Sequence, residues 1–156
     1  QQLGQHGQDH IPIAHAGKTR IKNQEQFHDK HREYAWQFFD PRLLDVLLVI
    51  REAIGKPIVI NNWAAGGQHT QRGLRSNVDP LVKEKTALEK LYMSAHIQGM
   101  AIDFNVVGMS TKEFHEWLKK NQILLPHPIR CEENTGNWIH IDTRSDGFRA
   151  ITWFKG

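Results

Sequence analysis

Apolar residues recur at helical spacing in the stretch that follows Asp40. They lie three and four positions apart, at Leu43, Leu44, Leu47, Leu48 and Ile50. Asp40 belongs to the residue types that accept hydrogen bonds at a helix N-terminus, Pro41 suits the first helical position, and Gly55 can end the helix. The pattern therefore predicts a core helix between Asp40 and Gly55.

Two further helices are predicted downstream. The first covers residues 82–93, with a modest apolar face made of Leu88, Leu91 and Tyr92. The second covers residues 111–121, because Ser110 and Glu113 have the spacing of a capping box at its start. Its buried stripe is predicted to contain Phe114, Trp117 and Leu118.

Short apolar runs predict the strands. They cover residues 57–60, 101–106, 129–132, 138–143 and 150–154. Turn sequences at 134–136 and 145–147 separate the last three runs. Together with the helices, these runs predict an α+β fold in which helices flank a small antiparallel sheet.

Alternation along two of these strands separates a core face from a polar face. The core positions are predicted to be Ile102, Phe104, Ile139 and Ile141. The opposite face then carries Asp103 beside the small Ala101 on one strand, and His140 with Trp138 and Asp142 on the other. We therefore expect polar groups from both strands to share one cleft.

Size and composition limit the class of protein. The chain has 156 residues, which suits one globular domain, and no run of about 18 apolar residues predicts a membrane span. Its net charge of +3 is too small and too dispersed to predict a nucleic-acid partner. Cys131 is the single cysteine, which excludes an intramolecular disulfide.

The beginning of the chain differs from the rest. Residues 1–26 contain little apolar sequence, and glycine and proline interrupt every periodic pattern, so we predict a weakly ordered or extended arm. Residues 27–156 are predicted to form the single domain. Because no basic-then-apolar leader pattern is present, we expect the route of export, if there is one, not to be encoded here.

Three side chains have the chemistry of a zinc site. A catalytic zinc ion needs three nitrogen or oxygen ligands and one position open to water, and His96, Asp103 and His140 supply that number. Gly99 lies between the first two and allows a tight turn that folds His96 back toward Asp103. These three residues could therefore place their donors on one zinc ion.

Two motifs resemble those of a known family. Residues 94–103 read Ser-x-His-x-x-Gly-x-Ala-x-Asp, and residues 138–142 read Trp-x-His-x-Asp. In order and separation they resemble the zinc D-Ala-D-Ala carboxypeptidases, a group that includes phage peptidoglycan endopeptidases and the zinc fold of hedgehog signalling domains. The resemblance spans about residues 38–153. It implies zinc at His96, Asp103 and His140, and it places Ser94 near the substrate.

The general base departs from the family pattern. Many members carry an acid three residues before the last histidine, whereas this chain has Asn137 there, and an amide cannot act as a base. We predict Glu132 as the base, because its strand is joined through a turn to the strand of His140. Glu133 takes that role if the strand pairing slips by one residue, which would reverse the faces.

Recognition of a substrate carboxylate requires a cation, and arginine offers a two-pronged donor geometry. The family often places such an arginine in a turn upstream of the first motif. Arg75 and Arg72 occupy the corresponding glycine-rich loop here. We favour Arg75 slightly over Arg72 as the carboxylate-binding residue.

These features predict a zinc metallopeptidase that cleaves stem or cross-bridge peptides of peptidoglycan, either as a D,D-carboxypeptidase or as an endopeptidase. Such an enzyme would act at the bacterial cell wall, as an exported enzyme or as an endolysin-like, phage-delivered protein, and we expect a monomer. The alternative is a zinc-containing module of the same fold that binds without turnover. Nucleic-acid binding is a weaker alternative.

Overall fold

The computed structural model describes residues 35–61, 67–69, 71–77, 79–145 and 147–156. Its α-helices are α1 (Pro41–Ile54), α2 (Pro80–Ala87) and α3 (Thr111–Lys120), with 3-10 turns at Ala35–Phe38 and Gln122–Leu124. Its strands are β1 (Ile58–Val59), β2 (Ala101–Val106), β3 (Ile129–Glu132), β4 (Ile139–Asp142) and β5 (Ile151–Phe154). The predicted arm at residues 1–26 lies outside this part of the chain.

The five strands form one sheet in the order β1-β2-β4-β3-β5. Strands β1 to β4 pair antiparallel, as predicted, whereas β5 runs parallel to β3. The sheet is therefore mixed rather than wholly antiparallel. The reason is that β2 and β3 already occupy both edges of β4, so β5 cannot fold back onto β4 as a hairpin and joins the outer edge of β3. The predicted α+β class is confirmed.

Helix α1 forms as its sequence predicts. The Asp40 carboxylate accepts a hydrogen bond from the backbone N–H of Arg42, Pro41 opens the helix, and Gly55 ends it with φ 66°. Its fully buried residues are Leu43, Val46 and Ile50, so the core-facing stripe includes a valine that the leucine-based pattern did not single out.

Helix α3 has the predicted capping box, with Ser110 and Glu113 each bonded to the other's backbone. Phe114 and Leu118 are buried beneath it. Helix α2 is shorter than predicted and ends at Ala87 instead of continuing to residue 93. Glu89 has φ 53°, which breaks the helical path, and no α2 residue is buried, so no apolar stripe holds the predicted extension in place.

The core lies on one face of the sheet. It contains side chains of α1 and α3 packed against the inward residues of the strands, including Ile102, Phe104, Ile139 and Ile141 as predicted. The opposite face of β2 and β4 carries Asp103, His140 and Asp142, which belong to the candidate metal centre described below. No helix in the described residues is both long and apolar enough to cross a membrane.

Candidate metal centre

Two of the predicted ligands lie on neighbouring strands. The antiparallel pairing of β2 and β4 sets Asp103 directly opposite His140. Cross-strand partners on the same face of a sheet have Cβ atoms about 5 Å apart, which is close enough for both side chains to bind one ion. Both residues are buried.

The third ligand, His96, comes from the turn that precedes β2. Gly99 adopts φ 68° in this turn, and its carbonyl accepts a hydrogen bond from the backbone N–H of Asp40 at 2.9 Å. A Cβ atom at Gly99 would lie 1.8 Å from the carbonyl oxygen of Phe38. Only glycine therefore permits the turn to approach the segment before α1 this closely, and this approach fixes where His96 enters the site.

The three side chains converge. The Asp103 carboxylate lies 2.7 Å from Nδ1 of His140 and 3.4 Å from Nε2 of His96. The two imidazole centroids are 5.1 Å apart, and one ligand atom from each of the three residues lies within 4.8 Å of the others. Two imidazoles and a carboxylate in this arrangement could hold a divalent metal ion. Among the described residues, no other group of histidine, cysteine and acidic side chains meets this condition.

Hydrogen bonds on the far side of each imidazole determine which nitrogen faces the site. Nδ1 of His96 lies 2.9 Å from the Gly73 carbonyl, to which it can only donate, so Nε2 carries the free lone pair. His140 has the opposite arrangement, since its Nε2 lies 3.4 Å from Asp142 and its Nδ1 faces Asp103. The two histidines therefore offer different ring nitrogens.

Asp142 is held in place by several donors. It is fully buried, and Arg130 donates to both carboxylate oxygens at 2.8 and 2.6 Å. The backbone N–H of Arg144 adds a third bond at 2.9 Å. Burial alone would raise the pKa of Asp142, but the hydrogen bonds with His140 and Arg130 outweigh it and hold that pKa well below its usual range.

The same network raises the proton affinity of His140. Burial disfavours the imidazolium, but hydrogen bonds with Asp103 and Asp142 dominate and raise the pKa of His140 to about 9. For Asp103, burial raises the pKa, and the bonds with His140 and His96 lower it below its usual value. Both shifts have the same cause, because carboxylates beside the imidazoles favour positive charge at this position, whether it is a proton or a metal ion.

The three predicted ligands line an open cleft of about 500 Å³. Glu132 and Trp138 line this cleft together with Ser94 and Phe154. The three predicted ligands therefore border a space that other polar and aromatic side chains also line.

Of the two predicted candidates for the base, only Glu132 lies in this cleft. Its neighbour Glu133 lines a separate cleft together with His115 and Trp153. The antiparallel register pairs Arg130 with Asp142 and, continued by two residues, brings Glu132 opposite His140. The exposed Asn137 is not among the residues lining the cleft, and its backbone carbonyl accepts a hydrogen bond from Asn105.

Both predicted carboxylate-binding arginines line the cleft, but their hydrogen bonds differ. Arg72 is buried, and its guanidinium donates to the side chain of Asn105. Arg75 donates from Nη1 to the Tyr92 hydroxyl at 2.6 Å and from Nη2 to the Gln71 carbonyl at 3.4 Å. Nε of Arg75 is buried without a hydrogen-bond partner among the described residues, so this guanidinium retains donor capacity.

The sequence interpretation missed two arginines. Arg144 lines the cleft and donates to the Met93 carbonyl at 3.3 Å. It follows the Trp-x-His-x-Asp motif by two residues, and that position was an available signal. Arg130 has no comparable signal, because its contact with Asp142 depends on the register of β3 against β4.

The structure thus shows a buried His96-Asp103-His140 group able to bind a metal ion, with Ser94, Glu132, Arg72 and Arg75 around it. Comparison of the chain with protein-family models, with curated proteins and with solved structures found no match.

Proposed function

We propose that this protein is a zinc-dependent peptidase that hydrolyses peptide bonds of peptidoglycan, of the D,D-carboxypeptidase or endopeptidase type. The observation that carries the proposal is a group of three potential ligands lining a cleft that a further acidic side chain, Glu132, also lines. Zinc favours this nitrogen and oxygen donor set. The substrate class rests on the resemblance of the two sequence motifs.

Zinc bound by His96, Asp103 and His140 would act as a Lewis acid on the scissile carbonyl and favour deprotonation of the attacking water near neutral pH. The chain's own contribution is then proton transfer. Glu132 would accept a proton from the attacking water at its carboxylate and deliver it to the departing amine nitrogen. Because the amide of Asn137 cannot act as a base, this role is assigned to Glu132, the predicted base that lines the cleft.

A binding module without turnover is the second candidate. The amide at Asn137, where the enzymes that its motifs resemble often have an acid, favours it. The two candidates make different predictions for catalysis and the same prediction for zinc, so metal binding alone does not separate them.

Metal removal provides the test. We expect the purified protein to bind one zinc ion and to release defined fragments from purified peptidoglycan sacculi, detected by mass spectrometry. Dialysis against a chelator should abolish the release, and stoichiometric zinc should restore it. Zinc binding without cleavage of sacculi or of synthetic stem peptides would contradict the peptidase proposal and support the binding module.

Arg75 is expected to bind a substrate carboxylate. Its guanidinium lines the cleft with one donor, Nε, unpartnered among the described residues, and its planar donor geometry is one that a lysine cannot reproduce. We expect Arg75→Lys to raise KM about tenfold, with kcat nearly unchanged, for a peptide with a free terminal carboxylate. The same peptide amidated at its C-terminus is the control, and the variant and the wild type should cleave it equally well. An equal loss on both peptides would contradict this role.

A further inference from the structure

Arg130 lies one strand away from the ligand histidine and does not line the cleft. On β3 it pairs in register with Asp142 on β4, and its guanidinium bonds both oxygens of that carboxylate. The guanidinium also lies over the Phe154 ring, with 4.6 Å to the ring centroid. Its position is thus fixed by an ion pair and by an aromatic contact.

The carboxylate it holds is the one that touches His140. Oδ2 of Asp142 lies 2.6 Å from Nη2 of Arg130 and 3.4 Å from Nε2 of His140. An isolated carboxylate with no exposed surface is costly, and it would turn toward any available donor. With Arg130 in place, the charge of Asp142 is balanced and its oxygens have fixed directions.

A fixed Asp142 restricts the His140 ring. Asp142 can accept a hydrogen bond from Nε2 of this ring at 3.4 Å, and Nδ1 then faces Asp103 and the proposed metal position. Phe154 supports the same ring from another side, at 5.8 Å between centroids and with an interplanar angle of 83°. Arg130 therefore contacts two of the groups that limit rotation of the imidazole, Asp142 and Phe154.

We propose that Arg130 is a positioning residue of the metal centre, which acts through Asp142 to present Nδ1 of His140 to the metal ion. The inference rests on the proposed zinc site and adds a residue that touches neither the ion nor the substrate. Groups that orient a metal-bound histidine in this way typically change metal affinity 10 to 100-fold when they are removed.

The test measures zinc affinity and ring orientation rather than turnover. We expect Arg130→Gln to weaken zinc binding about 10 to 100-fold in competition with a chromogenic chelator. Arg130→Lys, which keeps the charge but loses the two-pronged geometry, should recover part of this loss. Arg51→Gln, an exposed site on α1, should bind zinc like the wild type. In ¹⁵N spectra of the zinc-loaded wild type, Nδ1 of His140 should be the bound nitrogen, and the glutamine variant should lose this single arrangement.

A purely structural role would look different. The metal-free variants should then lose thermal stability while zinc affinity and the His140 spectrum stay unchanged, and that result would overturn the inference. If Arg130→Gln does not fold, the test uses Arg130→Lys instead. Unchanged zinc affinity in the lysine variant, together with an unchanged His140 spectrum, would contradict the positioning role. A wild-type protein that binds no zinc overturns this inference and the proposed function together, whereas zinc binding without peptide cleavage overturns only the latter.

Discussion

Replacing Glu132 with glutamine is expected to lower kcat about 10²- to 10⁴-fold, the usual contribution of a general base, with zinc stoichiometry unchanged. The amide has nearly the same size and can still accept a hydrogen bond, but it cannot carry the proton from water to the leaving amine. Among the described residues, Glu132 is the acidic side chain that lines the cleft beside the three proposed metal ligands without being one of them. The measurement is the rate of peptide release by the zinc-loaded variant.

The neighbouring residue provides a matched control. Glu133 has the same side chain, but it lines the separate cleft beside His115 and Trp153. Glu133→Gln should therefore retain the wild-type rate. Equal losses in both variants, or an unchanged rate in Glu132→Gln, would remove Glu132 from the mechanism.

Gly99→Ala is expected to destabilise the protein by about 3 kcal/mol or more, because two separate penalties add. The backbone has φ 68°, and the new Cβ would meet the Phe38 carbonyl oxygen at 1.8 Å. Because backbone atoms cannot rotate away like a side chain, the turn and the segment before α1 must separate. The loss is measured by urea unfolding of the metal-free protein.

Gly136→Ala isolates one of the two penalties. Gly136 has φ 75°, close to that of Gly99, but no atom of the described residues lies within 4 Å of the position that a Cβ would take there. Gly136→Ala should therefore lower the free energy of unfolding by the conformational penalty alone, about 1 to 2 kcal/mol. We also expect Gly99→Ala, and not Gly136→Ala, to weaken zinc binding, because the Gly99 turn carries His96. Similar stability losses in the two variants would show that the close approach at Gly99 contributes little.

Local patterns predicted much of the fold. The cap at Asp40, the capping box at Ser110 and the alternation that puts Asp103 and His140 on the polar face are all present. Each depends on residues a few positions apart, where side-chain and backbone geometry decide the outcome. The end of α2 was less predictable, because residues 88–93 have helical composition but no core to pack against.

The pairing of strands that are distant in the sequence could not be predicted from local patterns. The parallel position of β5 depends on which edge of the sheet is free, a property of the assembled sheet rather than of residues 150–154. The choice between Glu132 and Glu133 depended on the register of β3, since one residue of slip exchanges their faces. The contact between Arg130 and Asp142 depends on that same register.

The position of β4 within the sheet has a consequence for local stability. It is hydrogen-bonded on both sides, by β2 and by β3, so its amides should be among the slowest to exchange with solvent. His96, by contrast, belongs to a turn outside the sheet, and such segments open more readily. An ion bound by both His140 and His96 would therefore connect a readily opening segment to the slowest-exchanging part of the protein. Loss of the ion would release the turn of His96 before it affected strand β4.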